Sequence, residues 1–207
     1  MILTLILGLA INIPIWIFLG TSWVSILASG IFLLSFLFIL RFFRYPERYS
    51  ELNPGVVYSP ADGKIIAISE ETETEYFKDS RIIISIFMSA LNIHANWLPI
   101  SGHIKYTKYH PGRNLFAIHP KSSHLNERCS LVIKNENDQE ILVRQVAGIL
   151  ARRVVTYPKS GDIVEQGQEL GFIKFGSRLD IILPLNTKPL VEIGDKVMGN
   201  LSKIAAL

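Results

Sequence analysis

The sequence predicts a mainly β protein, a compact β-sandwich domain preceded by a membrane helical hairpin, and three observations support this fold class. The first 40 of the 207 residues contain no Asp, Glu, Lys, Arg or His, so all 21 basic and all 18 acidic residues lie in residues 41–207. Beyond residue 52, short runs rich in Ile, Val, Phe and Tyr alternate with Gly, Pro, Asn and Asp, which is typical of strands and turns. No stretch of that part keeps a helical period of 3.6 residues for more than about three turns.

Residues 1–40 are predicted to form a membrane-anchoring helical hairpin. Met1–Leu19 and Ser22–Ile39 each approach the roughly 20 apolar residues that an α-helix needs to cross the hydrocarbon core. The connection between them is short, which favours antiparallel helices, and spanning helices satisfy their own backbone hydrogen bonds. Pro14 and Asn12 weaken the first span. A signal peptide is the alternative, but it would begin with basic residues, whereas this chain begins Met-Ile-Leu-Thr.

Three arginines, Arg41, Arg44 and Arg48, follow the second span directly. The positive-inside tendency then places the following domain on the cytoplasmic face of the inner membrane. We expect a linker helix over residues 41–52. The single Cys129 excludes an intrachain disulfide and agrees with a reducing compartment. A net charge of +3 suits contact with anionic lipid, but no basic patch with interleaved aromatics predicts nucleic-acid binding.

Residues 53–207 are predicted to form the β domain. Its expected strands are Val56–Tyr58, Lys64–Ser69, Arg81–Phe87, His103–Thr107, Ser130–Lys134, Ile141–Val146, Arg153–Tyr157, Gly171–Phe175 and Leu179–Leu183. The domain also contains a weak internal echo, in which a Gly-Asp turn precedes a Val-containing strand and another Gly, at residues 161–167 and again at residues 194–199. This spacing resembles the flattened β-sandwich of biotinyl and lipoyl carrier domains, in which a tight hairpin presents the modified residue.

A Gly-Ser bond, Gly176-Ser177, lies between two predicted strands of that segment. A serine hydroxyl is protonated at neutral pH and is a poor nucleophile unless a base or strain activates it. Glycine permits contorted backbone conformations and exposes its carbonyl to attack. The Ser177 hydroxyl can then convert the amide to an ester, and elimination would cut the chain and leave dehydroalanine, which hydrolyses to a pyruvoyl group. The alternative is an ordinary turn, because Gly-Ser is a common turn dipeptide.

Five motifs occur in order along the chain, and the last of them contains this bond: Ser59–Ile65, Phe87–Gly102, Asn126–Arg128, Ala147–Arg153, and Phe175–Asp180 with Leu183–Pro184. With these motifs in this order, the chain resembles the short form of the phosphatidylserine decarboxylase family over roughly residues 50–200.

The resemblance implies a chain that cuts itself between Gly176 and Ser177 into a β chain of residues 1–176 and an α chain of residues 177–207. Ser177 would become a pyruvoyl cofactor, whose carbonyl forms a Schiff base with the substrate amine and accepts the electrons released as CO₂ leaves. The implied reaction converts phosphatidylserine, a membrane lipid, into phosphatidylethanolamine. Archaetidylserine, an ether-lipid analogue, is an alternative substrate. A homodimer also stays open as the oligomeric state.

His94 and Asp62 are the candidates for acid–base chemistry. A histidine can take the Ser177 proton if a carboxylate orients its ring, as in catalytic triads. Asp62 could equally cap its own turn, and an isolated His94 could be structural. Longer bacterial members of the family carry two histidines three residues apart here; His94 fills the first position, and Trp97 stands in the second. His94 therefore serves both maturation and decarboxylation, or another group acts as the base.

A polar, cationic segment offers Arg113, Lys121 and Arg128 as ligands for the lipid phosphate or the serine carboxylate, although each could equally lie on a solvated surface loop. The histidines lack metal-ligand spacing, so no metal site is predicted. Two other classes of function remain as alternatives. A non-enzymatic carrier-like membrane adaptor would keep its chain intact, and a serine hydrolase would need the Gly-x-Ser-x-Gly elbow, which is missing around Ser177.

Overall fold

The computed structural model describes residues 2–112, 126–148, 153–173 and 177–207. The chain divides into two compact units, residues 1–44 and residues 45–207. The first contains two helices and the second contains all the described strands.

The first unit is a pair of helices, α1 (Ile2–Leu19) and α2 (Trp23–Phe42), each long and apolar enough to cross a membrane. Ser22 caps α2, because its hydroxyl accepts the backbone N–H of Ser25. Polar side chains join the helices: the Trp16 indole N–H donates to Ser29 at 2.9 Å, and the Ser29 hydroxyl donates to Asn12 at 3.2 Å. Such interhelical bonds stabilise helix pairs in lipid. The predicted helices are confirmed.

The predicted linker helix over residues 41–52 is wrong beyond residue 42, where α2 ends. Residues 44–53 have no regular secondary structure. Pro46 has no backbone N–H and disfavours helical geometry in the residue before it. Distant side chains also take the backbone carbonyls that a helix would use: Asn200 donates to the Arg48 carbonyl at 2.9 Å, and Gln166 donates to the Glu51 carbonyl at 3.2 Å.

The second unit is built from short strands, in agreement with the β-branched and aromatic runs of the sequence. They are β1 (Val56–Tyr58), β2 (Gly63–Thr72), β3 (Ser80–Met88), β4 (Ala95–Trp97), β5 (Gly102–His110), β6 (Arg128–Lys134), β7 (Glu140–Val146), β8 (Val154–Thr156), β9 (Ile163–Val164), β10 (Glu169–Ile173), β11 (Ser177–Leu183), β12 (Lys188–Pro189), β13 (Lys196–Val197) and β14 (Lys203–Ala206).

These strands form one sheet of eight strands, in the order β13-β2-β3-β11-β7-β6-β5-β9, and two sheets of three, β1-β14-β12 and β4-β10-β8. One face of the large sheet shares a hydrophobic core with both small sheets. The opposite face carries a smaller apolar cluster around Val132, Leu142 and Ile182. The mainly β prediction is confirmed, whereas the likeness to carrier-domain hairpins stays a prediction.

The second unit contains an internal repeat that relates β1–β3 and β11–β14 to β4–β10. The large sheet has the same arrangement at both edges, and β2 and β5 carry matching register shifts after Ile65 and Ile104. The carbonyl of Ile65 accepts the N–H of Gly194 at 2.9 Å, and that of Ile104 accepts the N–H of Gly161 at 2.8 Å. Both glycines have positive φ, +106° and +99°, which glycine adopts readily. The predicted echo is therefore a structural repeat with β11 and β7 paired at its centre.

Candidate active site

Ser177 is the first residue of β11, and its side chain lies on the core face of the large sheet. Its Cα partner on β3 is Met88, and the Ser177 hydroxyl donates a hydrogen bond to the Met88 sulfur at 3.3 Å. The residue is fully buried, with 0% of its surface exposed. A thioether is a weak, neutral acceptor, so this contact leaves the hydroxyl protonated and desolvated. Gly176, the predicted partner in the cleavage, lies outside the described residues.

His94 is buried just before β4. Its Nδ1 lies 2.9 Å from the backbone carbonyl of Asn92. Because a carbonyl oxygen can only accept, Nδ1 carries the proton, and Nε2 is the basic nitrogen of the neutral ring. The His94 carbonyl accepts the N–H of Ile173 at 3.3 Å, which ties it to the end of β10, four residues before Ser177. The described geometry therefore places a histidine beside the chain that leads into the predicted cleavage bond.

Asp62 is buried in the turn before β2, and its carboxylate is bound by Arg48 and Gly199. Arg48 contacts both carboxylate oxygens and also donates to the Gly199 carbonyl at 2.8 Å. The Gly199 N–H donates to Asp62 Oδ1 at 2.8 Å. Asp62 therefore caps the backbone of a distant turn, rather than its own, and binds an arginine that the sequence placed in the linker. Its predicted action on His94 stays a prediction.

Trp97, in the position where longer relatives carry a second histidine, is 1% exposed. The guanidinium of Arg48 lies over its ring, 4.9 Å from the centroid, and the Tyr45 ring lies 5.9 Å away. The backbone N–H of Trp97 donates to the Pro60 carbonyl. The Trp97 side chain therefore packs against residues 45–53, where a stacked cation adds to its burial.

Of the three predicted substrate cations, only Arg128 lies within the described residues, because Arg113 and Lys121 lie outside them. Arg128 begins β6 and is half-buried. Burial lowers the pKa of Arg128, and the nearby charge of Arg144 lowers it further, while Glu75 raises it. Its predicted contact with substrate stays a prediction.

The large sheet carries a buried charged cluster on the face opposite the Ser177 side chain, and sequence reasoning missed it. Arg144 on β7 donates to Glu73 at 2.9 Å and to Glu75 at 3.0 Å, and Glu75 also binds His110 at 2.7 Å and Ser130 at 2.9 Å. Both glutamates lie in the connection between β2 and β3. The cluster is fully paired, as buried charges must be.

The pKa values of both glutamates are lowered despite their burial. Burial alone raises the pKa of Glu73, but backbone N–H donors and Arg144 outweigh it. Burial likewise raises the pKa of Glu75, but His110, Arg144 and Ser130 outweigh it. Burial, followed by the charge of Glu75, raises the pKa of Tyr106 to about 12.

Asn96, Gln145 and Thr156 also reach the neighbourhood of Ser177 and were missed. Asn96 Nδ2 lies 3.7 Å from the Met88 sulfur, Gln145 donates to Asn96 at 2.8 Å, and Thr156 donates to Gln145 at 2.6 Å. Asn96 follows His94 by two residues, the spacing that places side chains on one face of a strand. That spacing is the one sequence signal that could have identified Asn96 as a site residue. Its bond to Gln145, 49 residues away, has no counterpart in a local sequence pattern.

The candidate site contains a buried hydroxyl at Ser177 and neutral amides linked to it through Met88, and the His94 backbone is bonded to Ile173, four residues before Ser177. These groups suit acyl transfer within the chain and proton transfer in a water-poor space. Within residues 2–112, 126–148, 153–173 and 177–207, no cluster of three or more His, Cys, Asp or Glu side chains could hold a metal ion.

Comparison with known proteins gives a consistent result. The sequence model of a family described as phosphatidylserine decarboxylase matches residues 36–204. A protein of Amoebophilus asiaticus named phosphatidylserine decarboxylase proenzyme is 54% identical over 171 residues, covering 83% of this chain and 76% of that protein. Proteins of the same name are 50% identical in Cytophaga hutchinsonii, over 84% of this chain and 79% of the relative, and 44% identical in Porphyromonas gingivalis, over 99% and 92%.

Proposed function

Because the chain belongs to the phosphatidylserine decarboxylase family, we propose that it converts phosphatidylserine into phosphatidylethanolamine and CO₂ in phospholipid biosynthesis. Membership confirms the predicted family and the predicted enzyme class, a decarboxylase. The relatives are named as proenzymes, and the proposal for this chain includes the same maturation: self-cleavage between Gly176 and Ser177, which leaves a pyruvoyl group at residue 177.

The observation that carries this proposal is the environment of Ser177. Its hydroxyl is fully buried against the Met88 sulfur, at the first residue of a central strand. Ser177 is paired with Met88 inside the sheet, whereas the alternative for a Gly-Ser dipeptide is an ordinary turn. Burial beside a weak acceptor keeps competing water away and leaves the oxygen free to attack a neighbouring carbonyl.

In the proposed maturation, Ser177 Oγ attacks the Gly176 carbonyl carbon, the C–N bond breaks, and the nitrogen of residue 177 becomes a free amine. Loss of the Cα proton and cleavage of the Cβ–O bond then release the Gly176 carboxylate and leave dehydroalanine. Its imine tautomer takes up water and releases ammonia, which leaves a ketone at Cα. Each step moves a proton, for which the site needs one nearby acid–base group.

The residues around Ser177 fit the group that this sequence would produce. The Met88 thioether contacts the position, the neutral amide of Asn96 contacts that sulfur, and both side chains are fully buried. A ketone carries no charge, so the site can hold it without a buried counter-ion. Once formed, the pyruvoyl group supplies the electron sink that decarboxylation at a substrate Cα requires.

His94 is the proposed acid–base group. Its Nδ1 is committed to the Asn92 carbonyl, so Nε2 is the nitrogen that exchanges a proton. The predicted orientation of His94 by Asp62 remains a second, separate hypothesis. The contacts of Asp62 with Arg48 and Gly199 support a role in holding residues 45–53 against the rest of the second unit.

The helices α1 and α2 are proposed to anchor the chain in the inner membrane, with residues 45–207 on the cytoplasmic side. Arg41 at the end of α2 and Arg44 after it support this orientation. The substrate is itself a membrane lipid, so an anchored chain stays at the surface where that lipid is found.

The experiment is intact-mass analysis of the purified full-length chain. The proposal expects two fragments, residues 1–176 and residues 177–207, and a blocked N-terminus on the second. Ser177→Ala should remain one uncut chain without decarboxylase activity. Ser85→Ala is the matched control, because Ser85 is a fully buried serine on the neighbouring strand whose hydroxyl bonds Arg178 on the opposite face. An active preparation that contains only the intact chain contradicts the proposal and favours a different mechanism, and an intact chain without activity favours the adaptor alternative.

A further inference from the structure

A buried chain of hydrogen bonds ends beside Ser177. The Thr156 hydroxyl donates to Gln145 Oε1 at 2.6 Å, Gln145 Nε2 donates to Asn96 Oδ1 at 2.8 Å, and Asn96 Nδ2 donates to the Met88 sulfur at 3.7 Å. The same sulfur accepts the Ser177 hydroxyl at 3.3 Å. The four residues lie on β8, β7, β4 and β3, which belong to two different sheets. This series of hydrogen bonds therefore links the two sheets next to Ser177.

All the hydrogen bonds of this series run in the same direction, from Thr156 towards Met88. Because Gln145 Oε1 accepts from Thr156, the Gln145 amide nitrogen faces Asn96, and the Asn96 nitrogen in turn faces the sulfur. Asn96 and Gln145 are 0% and 1% exposed. Turning either amide over would leave buried donors and acceptors without partners, which costs more than the bonds themselves contribute. Asn96 Nδ2 also donates to the Ala95 carbonyl at 3.2 Å, and a carbonyl can only accept, so this bond sets which atom Asn96 presents to Met88. The bonds from Thr156 and Gln145 hold that amide in place.

We propose that Thr156, Gln145 and Asn96 position the Ser177 hydroxyl for self-cleavage by holding the sulfur of Met88; this proposal rests on the function proposed above. A methionine side chain has three rotatable bonds, and its sulfur is a weak acceptor, so Met88 alone would leave the Ser177 rotamer poorly defined. The contact with Asn96 gives the sulfur a second partner. All four are positioning residues, and none of them takes up a proton during the reaction.

The first test is Thr156→Val, which removes the hydroxyl and keeps a β-branched side chain in the strand. The full-length chain is made by cell-free synthesis with phospholipid nanodiscs, and mass spectrometry follows the appearance of residues 177–207 over time. We expect self-cleavage to slow roughly three- to tenfold, the effect of one lost hydrogen bond. Thr156→Ser should restore the wild-type rate. The slowing should be the same at every pH, because none of the positioning residues titrates.

The second test is Met88→Leu, which conserves volume and removes the acceptor. It should slow self-cleavage at least as much as Thr156→Val. Combining the two should add nothing, because the upstream bonds act only through the sulfur. Independent structural damage would instead add, so the double variant separates positioning from general destabilisation.

Two control variants test whether the effect of Thr156→Val comes from its bond to Gln145. Gln139→Met removes an amide–amide bond of the same kind, from Asn135 at 3.0 Å, in the turn between β6 and β7, and should leave the rate unchanged. The Cys129 thiol also hydrogen-bonds Thr156, so Cys129→Ala is made as well and should be cut at the wild-type rate. If Cys129→Ala slows cleavage as much as Thr156→Val does, the effect comes from the thiol contact and the inference is wrong.

Failure of this inference is distinguishable from failure of the proposed function. A wild-type chain that cuts itself while Thr156→Val and Met88→Leu cut equally fast overturns the positioning role alone. Additive effects in the double variant overturn it as well. A wild-type chain that is never cut overturns both proposals.

Discussion

Arg48 binds both carboxylate oxygens of Asp62, and through this pair the segment that follows the membrane helices is held against the β domain. Each side chain of the pair is 11% exposed. The internal repeat places Ser101 in the equivalent position, where its hydroxyl accepts the N–H of Gln166 at 2.9 Å, just as Asp62 accepts the N–H of Gly199 at 2.8 Å. A bond like that from the Gly199 N–H to Asp62 therefore occurs in both halves of the internal repeat. The ion pair with Arg48 occurs at Asp62 and not at Ser101, because Ser101 has no carboxylate.

Arg48→Gln and Asp62→Asn should therefore have similar consequences. Each leaves a mostly buried charge without its partner, so we expect either one to lower the free energy of unfolding by about 3 kcal/mol. The double variant should cost little more than a single one. Urea unfolding of the detergent-solubilised chain, in the uncut Ser177→Ala background, measures this.

Rates of self-cleavage in the same pair distinguish the two roles of Asp62. If Asp62 acts by holding Arg48, both substitutions slow cleavage to a similar extent. If Asp62→Asn abolishes cleavage and Arg48→Gln leaves it at the wild-type rate, Asp62 orients His94 as first predicted.

Removal of residues 1–44 should separate membrane attachment from self-cleavage. Residues 45–207 form a compact unit, and the contacts of Ser177 with Met88 and of Asp62 with Arg48 lie inside it. We expect the truncated chain to cut itself and to lose its association with membranes, measured by flotation with phospholipid vesicles. The truncated chain floating with the vesicles as the full chain does would contradict the anchoring role of α1 and α2.

Local patterns of the sequence predicted the elements whose causes are local. The helices α1 and α2 follow from uninterrupted apolar length, and the strands follow from β-branched runs between turn residues. Ser177 was identified because Gly176 precedes it within a set of ordered motifs. The echo of Gly161-Asp162 in Gly194-Asp195 also proved to be structural, because both turns place a glycine at positive φ.

The missed features depend on contacts between residues far apart in the chain. The linker helix was predicted from local composition, but Asn200 and Gln166, more than 110 residues away, bond backbone carbonyls that a helix would use. Periodicity along a strand likewise cannot show that Arg144 would meet Glu73, 71 residues earlier. Such pairs exist only once the sheets have assembled.

The charged cluster behind the sheet predicts acid sensitivity. The pKa of Glu73 is lowered in the folded state, so its contribution to stability is present at neutral pH and is lost as the pH falls below the unfolded-state value. Unfolding free energy in urea should therefore decrease between neutral pH and about pH 3.5.

Glu73→Gln should flatten that pH dependence and lower stability at neutral pH, because Arg144 then lacks its closest carboxylate. Glu136→Gln, at an exposed position in the turn between β6 and β7, should leave both unchanged. An equally steep loss of stability in acid for Glu73→Gln would assign the sensitivity to other groups.

His94 should be required for proton transfer rather than for the fold. His94→Asn keeps a side-chain N–H at the position of Nδ1 for the Asn92 carbonyl, which lies 2.9 Å from Nδ1, and removes the basic Nε2. We expect a chain with near wild-type unfolding free energy whose self-cleavage is slowed about a hundredfold or more and no longer varies with pH as the wild type does. Time-resolved mass spectrometry over a pH series measures the rate.

Asn92→Ala is the control variant. Its backbone carbonyl still accepts from His94, so its self-cleavage should keep the wild-type pH dependence. If His94→Asn cuts itself and decarboxylates lipid at wild-type rates, the base is another group, and the assignment of His94 is wrong.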